Sequence, residues 1–294
     1  MTGVSLALAS ALFYGIADIW GGLLSRRADF RVVALLGQLG GLVCAVVAAL
    51  FVPAPGLGAA DLGWGAASGV GTGVAMVFLY RGISQGNVSV AVPVSAVGGV
   101  ALPVVAGVVF LGDRPSAPAW AGIAVVLPAL WLVSRSRSAE RTRVRAAALN
   151  GLVASCGIGV QYLALAQAGD EAGIWPVAAG RVAAVLALAP MIAPVLAPVP
   201  VSGSREQPPE RRSPPGAVLL WATLHGTLAA AALVLYLLAT REQLVVIAVV
   251  LSSLYPVVPV LFGVTALRER LSAAQCAGLV GAGGAVVLLT LAPA

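Results

Sequence analysis

Three ionisable side chains lie inside long apolar stretches of the sequence: Asp18, Arg181 and His225. A charge in apolar surroundings is costly, so each is a candidate functional group. Asp18 is either a cation ligand or protonatable coupling group, or an interfacial residue solvated by lipid head groups. Arg181 holds an anionic ligand group, pairs with Asp18, or is a structural arginine bonded to backbone carbonyls or a head group.

The spacing of Trp221, His225, Ala232 and Tyr236 predicts a stripe along one face of a helix. Steps of 4, 7 and 11 residues nearly complete whole helical turns, so the four residues share one face. A histidine there is either a hydrogen-bonded packing residue or, where it meets water, a proton carrier, because histidine titrates near neutral pH.

Further candidates are the polar and aromatic residues of the apolar stretches. Buried hydroxyl and amide groups need partners in a nonpolar setting, so we expect these side chains to face protein or a cavity. They are Tyr14, Tyr80, Gln161, Tyr162, Ser252 and Tyr255.

Several chemistries have no supporting motif. Cys44, Cys156 and Cys276 all lie in apolar stretches without metal-binding or redox spacing, so we interpret them as small buried residues. The glycine-rich stretches 69–73 and 278–284 lie inside apolar runs and favour helix packing over phosphate binding. No Walker motif is present. We therefore expect no cofactor, no metal and no ATP hydrolysis.

The composition predicts a membrane protein. Of the 294 residues 60% are hydrophobic and only 10% are charged, against about 25% charged in soluble proteins. A membrane helix needs about 20 apolar residues. The sequence divides into ten such runs, at 4–24, 31–52, 61–80, 87–111, 117–134, 146–168, 172–197, 216–239, 244–266 and 272–291.

The arginines predict an orientation. The chain has seventeen arginines and no lysine; fourteen arginines lie in the gaps after odd-numbered runs and two in the gaps after even-numbered runs. Positive charge stays on the cytoplasmic side, so we expect both termini outside and the basic loop 135–145 inside. The arginines form no basic face on a folded domain, which argues against nucleic-acid binding.

The two halves of the sequence are related. At an offset of 156, the stretch "GDRPS" at 112–116 aligns with "RERLS" at 268–272, and Tyr80 aligns with Tyr236; at an offset of 143, Gln38 aligns with Arg181. A repeat of five helices must insert the second time upside down, as in many secondary transporters. Locally, we expect Asp113 and Glu269 to lie in the first turn of the following helix, with Ser116 and Ser272 as N-caps; the alternative is that the two clusters contact the substrate.

Both halves resemble the EamA domain of the drug/metabolite transporter superfamily. The resemblance rests on a proline-bearing apolar helix, a Gly-Glu-Arg-Leu-Ser-like turn and a glycine-bearing final helix, from Tyr80 to Gly122 and from Tyr236 to Gly278. It covers essentially the whole chain, although Arg268 replaces the usual glycine in the second copy, and Asp113 and Pro115 replace Glu and Leu in the first. The resemblance implies a ten-helix carrier, often an exporter of amino acids, metabolites or toxic compounds.

We therefore predict an all-α integral membrane protein with two inverted five-helix repeats, 1–134 and 146–294, joined by the basic linker 135–145 and with a flexible loop at about 200–215. Pro93, Pro103, Pro256 and Pro259 lie in equivalent helices and act either as hinges or as static bends. The expected function is alternating-access export of a small organic metabolite, amino acid or drug-like compound in a bacterial inner membrane, with proton coupling resting on Asp18 and His225. The rival functions are a membrane enzyme acting on lipid and a scaffold that transports nothing. Substrate and oligomeric state stay open.

Overall fold

A computed structural model describes residues 2–25, 28–84, 88–134, 144–196, 216–266 and 272–291, and in these ranges the fold is entirely helical. In this part of the chain nine helical segments are long and apolar enough to span a membrane, and a shorter apolar helix covers Trp175–Pro190. One of the nine, Val245–Phe262, consists of two consecutive shorter helices. Together they give the predicted ten-helix membrane fold. The basic cluster 268–271, the loop 200–215 and most of the linker 135–145 lie outside the described residues.

The first half contains five helices: α1 (Thr2–Ser25), α2 (Phe30–Phe51), α3 (Ala59–Ser84), α4 (Val88–Phe110) and α5 (Ala117–Ser134). The second half contains α6 (Val144–Leu165), a 3₁₀ turn (Asp170–Ala172), α7 (Trp175–Leu196), α8 (Gly216–Glu242), α9 (Val245–Ser252), α10 (Val257–Thr265) and α11 (Ala273–Thr290). The predicted spans agree with these bounds to within a few residues, except for the ninth.

The ninth predicted span is two helices rather than one kinked helix. α9 ends at Ser252 and α10 begins at Val257, after a turn that ends in Pro256. Pro256 immediately precedes α10 and Pro259 lies in its first turn, where the missing backbone N–H groups are not needed for helical hydrogen bonds. In the equivalent helix of the first half, α4, Pro93 and Pro103 lie inside one continuous helix.

The helices pack with a two-fold relationship between the halves. α8 packs on α1 and α2, whereas α3 packs on α6 and α7; α4 packs on α6, and α9 and α10 pack on α1. Exchanging the first five helices for their repeat mates converts one set of contacts into the other. The molecule therefore contains two mixed bundles: bundle A (α1, α2, α8, α9 and α10) and bundle B (α3, α4, α6 and α7), while α5 packs on α11.

Glycines bring the backbones together at two equivalent crossings. Where α2 meets α8, a Cβ on Gly226 would collide with the carbonyl of Gly37; where α3 meets α7, a Cβ on Gly69 would collide with the carbonyl of Gly180. Without a hydrophobic force between helices in lipid, close packing of small residues is a main source of helix association. These crossings set the spacing of the helices on each side of the molecule.

Asp113, the acid of the stretch "GDRPS" at 112–116, caps a helix in the second half of the chain. The Asp113 carboxylate accepts a hydrogen bond of 2.9 Å from the Val246 backbone N–H at the start of α9, and Gly112, with a φ of 75°, makes the turn before it. The prediction that Asp113 lies in the first turn of its own following helix is wrong, because the packing of α4 on α9 brings a different helix start within reach. The Ser272 prediction is confirmed: its hydroxyl caps α11 in a capping box with Gln275. The Ser116 hydroxyl has no hydrogen-bond partner in the described part of the chain.

The glycine crossing generates a prediction for stability. Gly226→Ala should lower the midpoint of thermal unfolding in detergent, because overpacking a close helix crossing costs roughly 1–3 kcal/mol. The matched control is Gly284→Ala on α11, where a Cβ would meet nothing within 4 Å and alanine favours the helix. Equal midpoints for the two variants would contradict the assigned role of the crossing.

Candidate functional site

A central cavity lies between the two bundles. Its volume is about 670 Å³, and its walls come from α1, α2 and α8 of bundle A and from α3, α6 and α7 of bundle B, with Tyr255 from the turn between α9 and α10. Seven of the residues singled out in the sequence line it: Tyr14, Asp18, Gln161, Tyr162, Arg181, His225 and Tyr255. The structure therefore gathers side chains from distant parts of the chain into one site.

Arg181 is the most deeply buried charge of the cavity wall. Only 3% of the residue is exposed, and its Nη1 donates a hydrogen bond of 2.8 Å to Oε1 of Gln38 on α2. Its Nε and Nη2 atoms are buried without a hydrogen-bond partner among the described residues. The guanidinium thus joins bundle B to bundle A through one nitrogen, and two further nitrogens stay unsatisfied.

Asp18 supplies the opposite charge from another wall of the cavity. It lies on α1, lines the cavity and is exposed. Within the described ranges, neither a hydrogen bond nor an ion pair involves its carboxylate, so the alternative that Asp18 pairs with Arg181 does not describe this arrangement. The cavity therefore contains one carboxylate and one guanidinium that do not neutralise each other directly.

Gln161 crosses the cavity as part of a hydrogen-bond chain. Its Oε1 accepts a hydrogen bond of 2.8 Å from Thr72 on α3, and its Nε2 donates one of 3.1 Å to the Tyr14 hydroxyl on α1. The Tyr14 hydroxyl keeps its own proton available for a ligand. This chain joins α6 and α3 of bundle B to α1 of bundle A.

His225 is held in one orientation at the bundle A wall. Its Nδ1 lies 2.6 Å from the carbonyl oxygen of Ala222, and since a carbonyl only accepts, Nδ1 carries a proton. In the neutral ring Nε2 is then an acceptor. A Cβ on Gly37 would lie 2.8 Å from Nε2, so the glycine provides the room that the ring occupies.

A tyrosine contact joins the bundles beneath the cavity. The rings of Tyr162 on α6 and Tyr236 on α8 are 4.6 Å apart, and the Tyr236 hydroxyl donates to the Tyr162 carbonyl at 2.9 Å. Tyr236 is fully buried and packs behind Tyr162 instead of lining the cavity. Ser252 is also fully buried, and its hydroxyl donates to the Ala7 carbonyl at 3.3 Å.

The remaining candidates lie elsewhere. Trp221 is exposed, and its ring packs against that of Trp20 at 4.9 Å. Tyr80 is in α3, but its side chain lies outside the described residues. The stripe of Trp221, His225 and Tyr236 therefore brings only His225 to the cavity, since the residues lie at different depths along α8.

Sequence reasoning missed Gln38 and Thr72 as members of the site. The repeat alignment could have indicated Gln38, because Gln38 aligns with Arg181, and the structure joins these two repeat mates by a hydrogen bond. Thr72 gave no signal, since a threonine in a membrane helix commonly bonds its own backbone, and the Ser68 carbonyl does lie 3.1 Å from the Thr72 hydroxyl as an alternative acceptor. No group of three or more His, Cys, Asp or Glu side chains in the described ranges forms a metal site.

The far end of the molecule is closed by contacts between the bundles. Arg241, at the end of α8, donates from Nη2 to the carbonyls of Gly173 at 2.9 Å and Gly169 at 3.2 Å, and its Nε lies 3.5 Å from the Asp170 carboxylate. We call these contacts the latch. The Asp61 carboxylate accepts from the Gly169 backbone N–H at 2.8 Å and so fixes the same segment to α3.

Comparison with known proteins agrees with this architecture. Residues 1–135 match the model of the EamA-like transporter family. The first half of the chain is an EamA domain. Members of this family are membrane transporters, and the match together with the apolar helices supports a multi-pass membrane protein.

A solved structure titled "Crystal structure of protein" is similar over 99% of each chain, with a TM-score of 0.74 and 18% sequence identity. At this identity the likeness concerns the fold alone, and it extends through the second half of the chain. No curated protein gives a significant match to the sequence.

Cysteine labelling tests the placement of the α8 residues. With Cys44, Cys156 and Cys276 replaced by alanine, a cysteine at position 225 should react with a water-soluble maleimide in membranes, because His225 lines the cavity. Its matched control, a cysteine at position 236, should react far more slowly in the folded protein, because Tyr236 is fully buried. Equal labelling rates at the two positions would contradict this geometry.

Proposed function

We propose that the protein is a secondary transporter that moves a small organic metabolite across the membrane by alternating access. The observation that carries the proposal is the cavity of about 670 Å³ between bundles A and B, with charged and aromatic side chains from both halves in its wall. Its size suits a small organic molecule, since ligand sites typically measure about 300–1,000 Å³. In this proposal the repeats 1–134 and 146–294 supply equivalent helices to both bundles.

The conformational change in this proposal is a movement of bundle A against bundle B. Opening the far end requires the latch of Arg241 to release, and closing the cavity requires α1, α2 and α8 to approach α3. The break between α9 and α10 is a candidate hinge. Pro256 immediately precedes α10, and Pro259 lies in the first turn of α10. Pro93 and Pro103 of α4 are the corresponding candidates in the first half.

Export is the proposed direction. The cavity walls include Gly22 near the end of α1, Val33 near the start of α2 and Leu79 near the end of α3, so the cavity lies toward the ends that border the arginine-rich gaps. If those gaps are cytoplasmic, as the charge distribution predicts, the described arrangement loads its substrate from the cytoplasm of a bacterial cell. Both termini are then outside.

Proton coupling is proposed through Asp18 and His225. Both line the cavity, and both side chains are able to gain or lose a proton while exposed to it. An export rate that stays unchanged when the pH gradient alone is collapsed would contradict coupling without contradicting export.

Metabolite profiling tests the export proposal. Cells overexpressing the wild type should accumulate at least one compound outside that empty-vector cells do not, and Asp18→Asn and His225→Ala should reduce it to the vector level. Thr227→Ala is the matched control on α8: its hydroxyl bonds its own helix and the residue is not part of the cavity wall, so export should persist. Identical profiles in all strains, with equal amounts of protein in the membrane, would contradict export.

A further inference from the structure

The guanidinium of Arg181 is a buried positive charge without a counter-ion in the described part of the chain. We propose that Arg181 binds a carboxylate group of the transported molecule, so that the substrates of the cavity are organic acids or zwitterions. This inference rests on the proposed transport function and specifies its substrate class. Three observations carry it: the unpartnered edge of the guanidinium, the missing counter-charge, and the position of Arg181 in the cavity wall.

The free edge has the geometry of a carboxylate site. A guanidinium carries five N–H donors, and Gln38 takes one of those on Nη1 at 2.8 Å. The two buried nitrogens without a partner, Nε and Nη2, form the side of the guanidinium that binds both oxygens of a carboxylate in parallel. A purely structural arginine would use this edge on backbone carbonyls, and none accepts from it among the described residues.

The missing counter-charge makes an anion favourable. No acidic side chain in the described ranges forms an ion pair with Arg181, whose exposure is only 3%. An uncompensated buried charge is strongly unfavourable, and a paired one is much less so. Gln38 offers only a neutral amide oxygen, and Asp18 does not pair with the guanidinium, so a bound anion is the group that would complete the site.

The space around the guanidinium is bounded by glycines. A Cβ on Gly41 would lie 3.4 Å from Nε and 2.8 Å from the Gly226 carbonyl, so a larger side chain at position 41 would crowd both the guanidinium and the α8 backbone. Nε and Nη2 are enclosed in the described arrangement. Carboxylate binding therefore requires the end of the Arg181 side chain to rotate, so that this edge faces the cavity whose wall includes Arg181.

Matched acid and amide probes test the proposal on the purified full-length protein in lipid nanodiscs. The probes are acetate, benzoate and indole-3-acetate with acetamide, benzamide and indole-3-acetamide, and sodium chloride at equal concentration controls for inorganic anions. We expect at least one carboxylate to raise the midpoint of thermal unfolding and its amide to have no effect. Equal effects of acid and amide, no effect of any carboxylate, or an equal effect of chloride would each overturn the proposal.

Two substitutions locate the binding group. Arg181→Lys keeps the charge but loses the pair of parallel N–H donors on Nε and Nη2. Carboxylate affinity measured by calorimetry should therefore fall about tenfold or more, the loss expected for one charge-assisted hydrogen bond. Arg114→Lys is the control, since Arg114 is exposed and lies outside the cavity. Unchanged affinity in Arg181→Lys would overturn the assignment.

Gln38→Glu provides the independent test should Arg181→Lys fail to fold. The new carboxylate would give Arg181 an internal counter-ion at almost unchanged shape, so the ligand-free protein should unfold at a higher temperature while carboxylate affinity falls about tenfold or more. Wild-type affinity in Gln38→Glu would overturn the proposal. The transport function is judged separately: export that persists unchanged in Arg181→Lys cells contradicts the carboxylate site alone, whereas absence of export from wild-type cells contradicts transport.

Discussion

The close crossing of helix backbones at glycines is the constraint on which the rest of the structure depends. Gly226 of α8 meets Gly37 of α2, and Gly69 of α3 meets Gly180 of α7, with no space for a Cβ at either crossing. Each crossing joins a helix of one half to a helix of the other, so the two halves interlock. The cavity is the space left between the two bundles, and the same lack of side chains at Gly37 makes room for the His225 ring.

The polar side chains of the site follow from this arrangement because lipid supplies no hydrogen bonds. Each bridge across the cavity joins bundle A to bundle B: Arg181 to Gln38, Gln161 to Tyr14 and, beneath the cavity, Tyr236 to Tyr162. The first two bridges lie in the cavity wall and the third packs beneath it, whereas the latch closes the far end. In alternating access, each end state is closed at one end of the molecule. The described arrangement, closed at the far end by the latch, matches one of these two states.

The sequence predicted the membrane fold and the charged residues of the cavity because both follow from the cost of polar groups in lipid. Asp18, Arg181 and His225 stood out for that reason, and all three line the cavity. Helical periodicity was less informative. It placed Trp221 and Tyr236 on the same helix face as His225, but it does not show which residues of that face line the cavity and which meet lipid or the protein core. The contact of Asp113 with Val246 joins residues 133 positions apart. The prolines of the ninth span indicated a bend, but they did not distinguish a kinked helix from two separate helices. Neither was accessible from local pattern.

The central claim is that bundles A and B move relative to each other and that the latch holds their far ends together. The most direct measurement is the distance between spin labels at Glu242 of bundle A and Glu171 of bundle B, by electron paramagnetic resonance in lipid bilayers, with the native cysteines replaced. The account predicts a short and a longer distance population in the wild type, and a shift toward the longer one in Arg241→Ala, which removes the latch. A single short distance in both proteins would contradict the account.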